Sequence, residues 1–67
     1  MSVAKVSEIS ATSTKSFEDA IQVGLSRATK TLRNVRSAWI KEQQVRYADG
    51  RITEYQVNMM VTFVLDD

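Results

Sequence analysis

The chain has no cysteine and no histidine among its 67 residues. Without cysteine there is no disulfide bond and no zinc–thiolate site, and without histidine there is no imidazole ligand or near-neutral general base. Most designs for nucleophilic and acid–base catalysis are thereby excluded, so we expect a protein that is not an enzyme. Proline is also absent and only two glycines occur, which argues against a disordered or loop-rich chain.

The sequence also lacks a long hydrophobic run and a strong charge of one sign. No apolar stretch approaches the roughly 18–20 residues that cross a membrane, and the N-terminal segment has no apolar core typical of a signal peptide. Nine basic and eight acidic residues leave a net charge of +1, which creates no field that attracts nucleic acid or an acidic membrane. We therefore expect a cytoplasmic protein with neither nucleic acid nor membrane among its partners.

The length fits one small domain, and we interpret residues 1–67 as that single domain. A chain this short buries only about 60% of the surface that its unfolded form exposes. The free energy gained by that burial is about as large as the free energy lost in ordering the residues. With no disulfide bond to add stability, we expect the chain to oligomerise.

Patterning predicts a strand followed by a long helix. Residues 3–11 are rich in β-branched side chains, and we predict a strand there, although neither of its two alternating faces is cleanly apolar. Apolar residues at helical spacing predict an amphipathic helix over residues 14–33, with Ser13 as its N-cap and Asn34 at its end. The core-facing residues of this helix are Phe17, Ala20, Ile21, Gly24, Leu25, Ala28 and Leu32.

Two further strands are predicted at residues 35–47 and 52–65, on either side of the dipeptide Asp49-Gly50, which is typical of a tight hairpin turn. An uninterrupted ladder from this turn pairs Ala38 with Val61, Ile40 with Met59 and Glu42 with Val57 on one face, and Ser37 with Thr62, Trp39 with Met60, Lys41 with Asn58 and Gln43 with Gln56 on the other. The predicted architecture is α+β: a β-α-β-β chain whose three-stranded antiparallel sheet packs on one helix.

The second face of this sheet has no helix to cover it. In the predicted register that face carries Trp39, Met60, Val45 and Tyr47 among polar side chains. An exposed apolar patch on a chain that needs extra stability indicates contact with another subunit, a ligand or both. Trp39 is then either a platform on which a planar ring stacks or a packing residue between subunits.

The sequence resembles the dodecin family over nearly its whole length. The resemblance rests on short segments in a shared order and spacing. They are residues 5–6 and 11–13, SFEDAI at 16–21, RATKTL at 27–32, residues 34–35, YQV at 55–57 and VTFVL at 61–65. No single segment is a strict motif, but together they are specific.

The resemblance implies a hollow homododecamer of β-α-β-β subunits. Many dodecins bind flavins in pairs at two-fold interfaces, where the ring stacks on a tryptophan and a glutamine hydrogen-bonds its edge. Such proteins store or sequester flavin and are not known as enzymes. For this chain the resemblance therefore implies a non-catalytic flavoprotein that binds riboflavin or FMN.

The glutamine of the family corresponds to Gln56, whereas the tryptophan does not correspond cleanly. A gap-free comparison places Ser37 at the usual tryptophan position and Trp39 at a position that is usually glutamate. A shift of two positions along a strand keeps the side chain on the same face and moves the ring by about 7 Å. We therefore expect either a shifted flavin pocket around Trp39, with Lys41 and Gln43 beside the ring or its tail, or a lost flavin site.

These observations leave three hypotheses. The first is a dodecameric flavin store in which Trp39 stacks and Gln56 hydrogen-bonds. The second is a dodecameric shell that binds no flavin and takes ions or another small metabolite; it rests on Ser37. The third is a nucleic-acid module, which the near-zero net charge disfavours.

Overall fold

The structure is a computed structural model, and it describes residues 3–65. Its elements are β1 (Ala4–Ser13), α1 (Phe17–Ala28), β2 (Val35–Ala48) and β3 (Arg51–Val64). The strands form one antiparallel sheet in the spatial order β1-β3-β2, and α1 packs on one side of it, over β1 and β3. The predicted α+β class, element order and three-stranded antiparallel sheet are confirmed. Within the described residues, no helix is long and apolar enough to cross a membrane.

The helix begins later than the sequence predicted, because Ser16 rather than Ser13 is its N-cap. The backbone N–H of Asp19 donates to Ser16 Oγ at 2.9 Å, which satisfies one of the free donors of the first turn. Ser13 instead donates from its Oγ to Asp19 Oδ2 at 2.6 Å and accepts from the Lys15 N–H at 2.9 Å. Ser13 thus closes the turn between β1 and α1.

The helix also ends earlier than predicted, at Ala28. The N–H of Lys30 bonds the carbonyl of Arg27, three residues earlier, so the chain tightens into 3₁₀-like turns. Leu32 still packs against the core, which explains why the apolar spacing continues beyond the helix. Asn34 follows at φ 58, in the left-handed region that asparagine tolerates, and leads the chain into β2.

The core lies between α1 and the sheet. Its fully buried residues are Ala20, Val57, Met59 and Val61, with Ile9, Ala11, Phe17, Ile21, Leu25, Leu32, Val35 and Ala38 packed around them. The rings of Phe17 and Tyr55 meet edge to face at 5.2 Å between centroids. α1 approaches the sheet closely at Gly24, where a Cβ would lie 2.5 Å from Met59 Cε and 3.0 Å from Ala11 Cβ.

The β2–β3 register agrees with the prediction from Ser37 to Ile40 and next to the turn, and departs from it elsewhere. At the start of β2, Val35 pairs with Phe63, so Arg36 is an extra residue. Ser37–Thr62, Ala38–Val61, Trp39–Met60 and Ile40–Met59 pair as predicted. Lys41 is then an extra residue in β2, a β-bulge, so Glu42 pairs with Asn58 and Gln43 with Val57. The predicted pairs Glu42–Val57, Lys41–Asn58 and Gln43–Gln56 are therefore wrong. Near the turn Thr53 is an extra residue in β3, which restores the pairing of Ala48 with Arg51.

The bulge at Lys41 changes which side chains lie on each face of the sheet. Directly opposed residues share a face, so Gln43, opposite the buried Val57, lies on the side that carries α1. Val45 shares that side, and Tyr47 follows by alternation along β2. The prediction that Gln43, Val45 and Tyr47 lie on the uncovered face is wrong, because an uninterrupted ladder does not include the extra residue.

The β2–β3 hairpin extends beyond the helix and makes the chain long and thin. Its principal extents are 52 × 19 × 13 Å, and its radius of gyration is 13.9 Å. A compact domain of this length has a radius of gyration of about 11 Å. We call residues 42–54 the hairpin arm, and the side of the sheet away from α1 the open face.

Candidate functional site

The open face is built from the side chains that alternate away from α1. Across the sheet from β1 to β2 its rows are Val6–Thr62–Ser37, Glu8–Met60–Trp39, Ser10–Asn58–Glu42 and Thr12–Gln56–Gln44. Successive rows are about 7 Å apart along the strands. The result is a flat surface that is apolar around Trp39 and polar toward the hairpin arm.

Trp39 is the most prominent apolar group of the open face. Its side chain is 52% exposed and lies opposite Met60, as the sequence predicted. Ser37 lies on the same face two residues earlier, next to Thr62. The indole is thus held by a paired strand and still presents its ring to a partner or ligand.

Lys41 also lies on the open face, because the bulge turns it and Glu42 to the same side. Its Nζ pairs with Glu8 Oε1 at 3.4 Å, so the side chain reaches across β3 to β1 beside Met60. Both partners are about half exposed, and such a surface pair contributes about 0–1 kcal/mol to stability. The contact does more to hold the ammonium group over the open face, across Met60 from Trp39, than to stabilise the fold.

Gln56 lies at the centre of a hydrogen-bond network on the open face. Its Nε2 donates to Ser10 Oγ at 3.0 Å and to Asn58 Oδ1 at 3.3 Å. Its Oε1 accepts from Arg46 Nη2 at 2.8 Å. These bonds fix the amide with its nitrogen toward β1 and its oxygen toward β2. The carbonyl oxygen has a second lone pair, so it can accept one further hydrogen bond from a ligand.

Arg46 is a site residue that the sequence reasoning missed. Besides its bond to Gln56, its Nε pairs with Glu54 Oε1 at 3.2 Å. Glu42 extends the network by accepting from Asn58 Nδ2 at 3.1 Å. The predicted register placed Arg46 on the helix side. A signal was present, because Gln44 and Arg46 are polar while Val45 and Tyr47, which alternate with them, carry apolar or aromatic side chains.

The structure brings some of the predicted site residues together and separates others. Ser37, Trp39 and Lys41 form one cluster on the open face. Gln56 shares this face but lies two rows away, about 14 Å along the strand from the Trp39 row. Gln43 lies on the opposite side of the sheet and does not join the cluster. One chain therefore presents a stacking surface and a hydrogen-bonding surface at separate places.

Comparison with known proteins finds related sequences and structures with the same fold. A family model described as Dodecin matches residues 3–66. A Dodecin from Thermus thermophilus is 38% identical over 65 residues, which cover 97% of this chain and 94% of that protein. The structure of a dodecin from Streptomyces davaonensis is 35% identical with a TM-score of 0.93, and the match covers 98% of this chain and 97% of that chain.

A third relative is a calcium-chelating protein. It is the calcium-chelating immunodominant antigen calcium dodecin of Mycobacterium tuberculosis, with a novel calcium-binding site. It is 32% identical with a TM-score of 0.82, and the match covers 97% of this chain and 93% of that chain.

Proposed function

The chain belongs to the dodecin family, and from that membership we propose that it is a non-catalytic flavin-binding protein. The ligand is riboflavin or FMN, held between copies of the chain in a homododecamer, and the role is storage or sequestration in the cytoplasm. The observation that carries this proposal is the half-exposed indole of Trp39 on an open face that no helix covers.

The chemistry of the open face suits a flavin. An isoalloxazine ring has a large flat π-surface, and an indole ring stacks on such a surface with favourable energy. The polar edge of the same ring carries donors and acceptors like those of uracil. The N–H groups of the Gln56 amide are already bonded within the chain, and its oriented oxygen has one acceptor position left, which suits an N–H donor of the ring edge.

The distance between the two groups suggests where the ligand lies. Trp39 and Gln56 are two rows apart in one chain, so a single open face does not surround a ring. We propose that two open faces meet across a two-fold axis, with the flavins between them. Each ring is then stacked by one chain's Trp39 and contacted at its edge by a Gln56. Lys41, whose ammonium group lies over the same open face at Glu8, is the basic group that we assign to a phosphate tail.

A fluorescence titration tests the proposal sharply, because Trp39 is the only tryptophan of the chain. We expect added riboflavin or FMN to lose its own emission and to quench the tryptophan emission, with both signals saturating near one flavin per chain. Trp39→Ala should abolish flavin quenching, whereas Trp39→Phe, which keeps an aromatic face, should retain part of it. Light scattering verifies that each variant has kept its assembly.

Two outcomes would contradict the flavin proposal. The first is unquenched flavin in the presence of an intact wild-type assembly. The second is flavin quenching without any change in tryptophan emission, because the ligand would then bind away from Trp39.

The alternative is a dodecameric shell that takes a cation or another metabolite. Ser37 at the usual tryptophan position and the calcium-chelating relative support it. On the open face, however, Glu8 is paired with Lys41 and Glu42 with Asn58. Among residues 3–65, no three acidic side chains gather into a group suited to a metal ion. We therefore rank flavin first, and a calorimetric titration with Ca²⁺ alone, showing saturable binding and no flavin quenching, would reverse that order.

A further inference from the structure

The hydrogen bonds of Gln56 belong to a chain of bonds that joins a cation to an anion across the open face. Arg46 Nη2 donates to Gln56 Oε1 at 2.8 Å, and Gln56 Nε2 donates to Asn58 Oδ1 at 3.3 Å. Asn58 Nδ2 then donates to Glu42 Oε1 at 3.1 Å. All three bonds run in one direction, from the guanidinium through two side-chain amides to the carboxylate, and we call these four residues the amide chain.

The charged ends of the amide chain permit only one orientation of the two amides. A guanidinium donates and never accepts, whereas an ionised carboxylate accepts and never donates. Turning the Gln56 amide over would place its nitrogen against Arg46 and its oxygen against the Asn58 oxygen. Turning Asn58 over as well would place its oxygen against the Glu42 carboxylate. Because the bonds in such a chain polarise one another, each end reinforces the orientation that the other end imposes.

Arg46 and Glu42, rather than the contact with β1, set the orientation of Gln56. Arg46 is held from its other side, because its Nε pairs with Glu54 Oε1 at 3.2 Å directly across the β2–β3 ladder. On the β1 side, Gln56 Nε2 donates to Ser10 Oγ at 3.0 Å. A hydroxyl group donates as well as accepts, so Ser10 would satisfy either orientation of the amide.

The orientation of Gln56 decides what a ligand meets there. Its amide nitrogen donates within the chain, to Ser10 and to Asn58, whereas its oxygen has a second lone pair beside the bond from Arg46. A ring edge that carries an N–H donor satisfies this oxygen. A ring edge without that donor sets a methyl group or its own lone pairs against the oxygen, which then loses its hydrogen bond to water without gaining another.

We propose that Arg46 is a positioning residue that, together with Glu42, makes Gln56 an acceptor only, so that the site selects rings with an unsubstituted imide N–H at their edge. In the isoalloxazine ring this N–H lies between two carbonyl groups. Arg46 acts through Gln56 and is assigned no contact with the ring. The inference rests on the proposed flavin function, and it adds which part of the ring is recognised and which residue fixes the group that recognises it.

Riboflavin and its analogue methylated at the imide nitrogen test this inference, because the two ligands differ only in that N–H. Both are titrated by flavin fluorescence, and the measured quantity is the ratio of their dissociation constants. In the unsubstituted chain we expect the methylated ring to bind about tenfold more weakly. Arg46→Met, which keeps a long side chain and removes the donors, should lower the ratio to about threefold, because Glu42 still holds the other end. Adding Glu42→Gln should bring the ratio close to one, since the released amide then donates to the ring carbonyl groups of either ligand.

Two further variants separate the orientation of Gln56 from the loss of charge. Arg51→Met removes the same charge from an exposed position at the turn of the hairpin arm, and it should keep the ratio of about tenfold. Arg46→Lys retains a cationic donor and should keep most of the ratio. Light scattering verifies the assembly of every variant. Should Arg46→Met fail to assemble, Glu42→Gln alone releases the opposite end and should lower the ratio by itself.

The possible outcomes distinguish this inference from the flavin proposal. Equal affinity of the unsubstituted chain for both ligands would overturn the selection and leave flavin binding intact. A ratio that stays at about tenfold when Arg46→Met and Glu42→Gln are combined would overturn the positioning role, because steric exclusion of the methyl group would then explain the ratio. An intact assembly that quenches neither ligand would refute the flavin proposal, and the ligand selection with it.

Discussion

Replacing Gly24 by alanine tests the close approach between α1 and the sheet. The added Cβ would lie 2.5 Å from Met59 Cε and 3.0 Å from Ala11 Cβ. Met59 is fully buried and Ala11 lies on a paired strand, so neither neighbour moves freely. Alanine gains about 1 kcal/mol of helix propensity over glycine, whereas overpacking a core costs about 1–3 kcal/mol. We expect the free energy of unfolding to fall by about 1 kcal/mol, with a drop of about 4–8 °C in Tm.

The assay is urea denaturation followed by circular dichroism at one fixed protein concentration, because assembly makes stability concentration-dependent. Ser26→Ala, at an exposed position of α1, is the matched control: it raises helix propensity and removes only the exposed hydrogen bond that Gln22 Nε2 donates to Ser26 Oγ. In a Met59→Leu background, which removes the terminal methyl, Gly24→Ala should cost measurably less. If Gly24→Ala stabilised the chain as much as Ser26→Ala, the steric argument would be refuted.

Two further predictions concern the helix start and the hairpin turn. Ser16→Ala should lower the free energy of unfolding by about 1 kcal/mol, because it removes the acceptor of the Asp19 N–H. A free energy of unfolding in urea denaturation equal to that of the unsubstituted chain would contradict the cap. Gly50→Ala should lower it by about 1–2 kcal/mol, since φ is +79° there and open space surrounds the missing Cβ, so that only backbone strain acts. Asp49→Asn, at φ 53, keeps a residue that tolerates this conformation and should leave the free energy of unfolding nearly unchanged. Equal losses of stability for Gly50→Ala and Asp49→Asn, measured by thermal denaturation, would refute the backbone explanation.

The order of elements could be predicted because each has a strong local signal. Asp49-Gly50 marks the turn, and both residues adopt the positive φ that such a turn requires. The alternation along β3, the central strand, identifies the face that the helix covers. The helix bounds could not be predicted as well, because apolar spacing continues through the 3₁₀-like turns to Leu32, and several hydroxyl residues before α1 compete as the cap.

The site was predictable only where the ladder is regular. Trp39 and Met60 lie on the side of the bulge where the simple register holds, and their pairing on the open face is confirmed. Beyond Lys41 one extra residue reverses which side chains of β2 face the helix. The predicted register therefore put Gln43 on the open face and Arg46 on the helix side, and both placements are wrong. The resemblance identified Gln56 and Ser37 but contains no information on the hydrogen bonds that orient the Gln56 amide. Those bonds depend on contacts between three strands, and no single segment of sequence specifies them.

The extra residues at Lys41 and Thr53, two of the three irregularities of the β2–β3 ladder, also bear on how this chain can change in length. Lys41 and Thr53 are each unpaired against the opposite strand, so losing either one would leave every other cross-strand pair and every facing as it is. Insertions or deletions at paired positions of the hairpin would slide the ladder and exchange its two faces. Positions 41 and 53 are thus places where the hairpin tolerates a deletion, and a shorter relative would be expected to lack a residue at such an unpaired position.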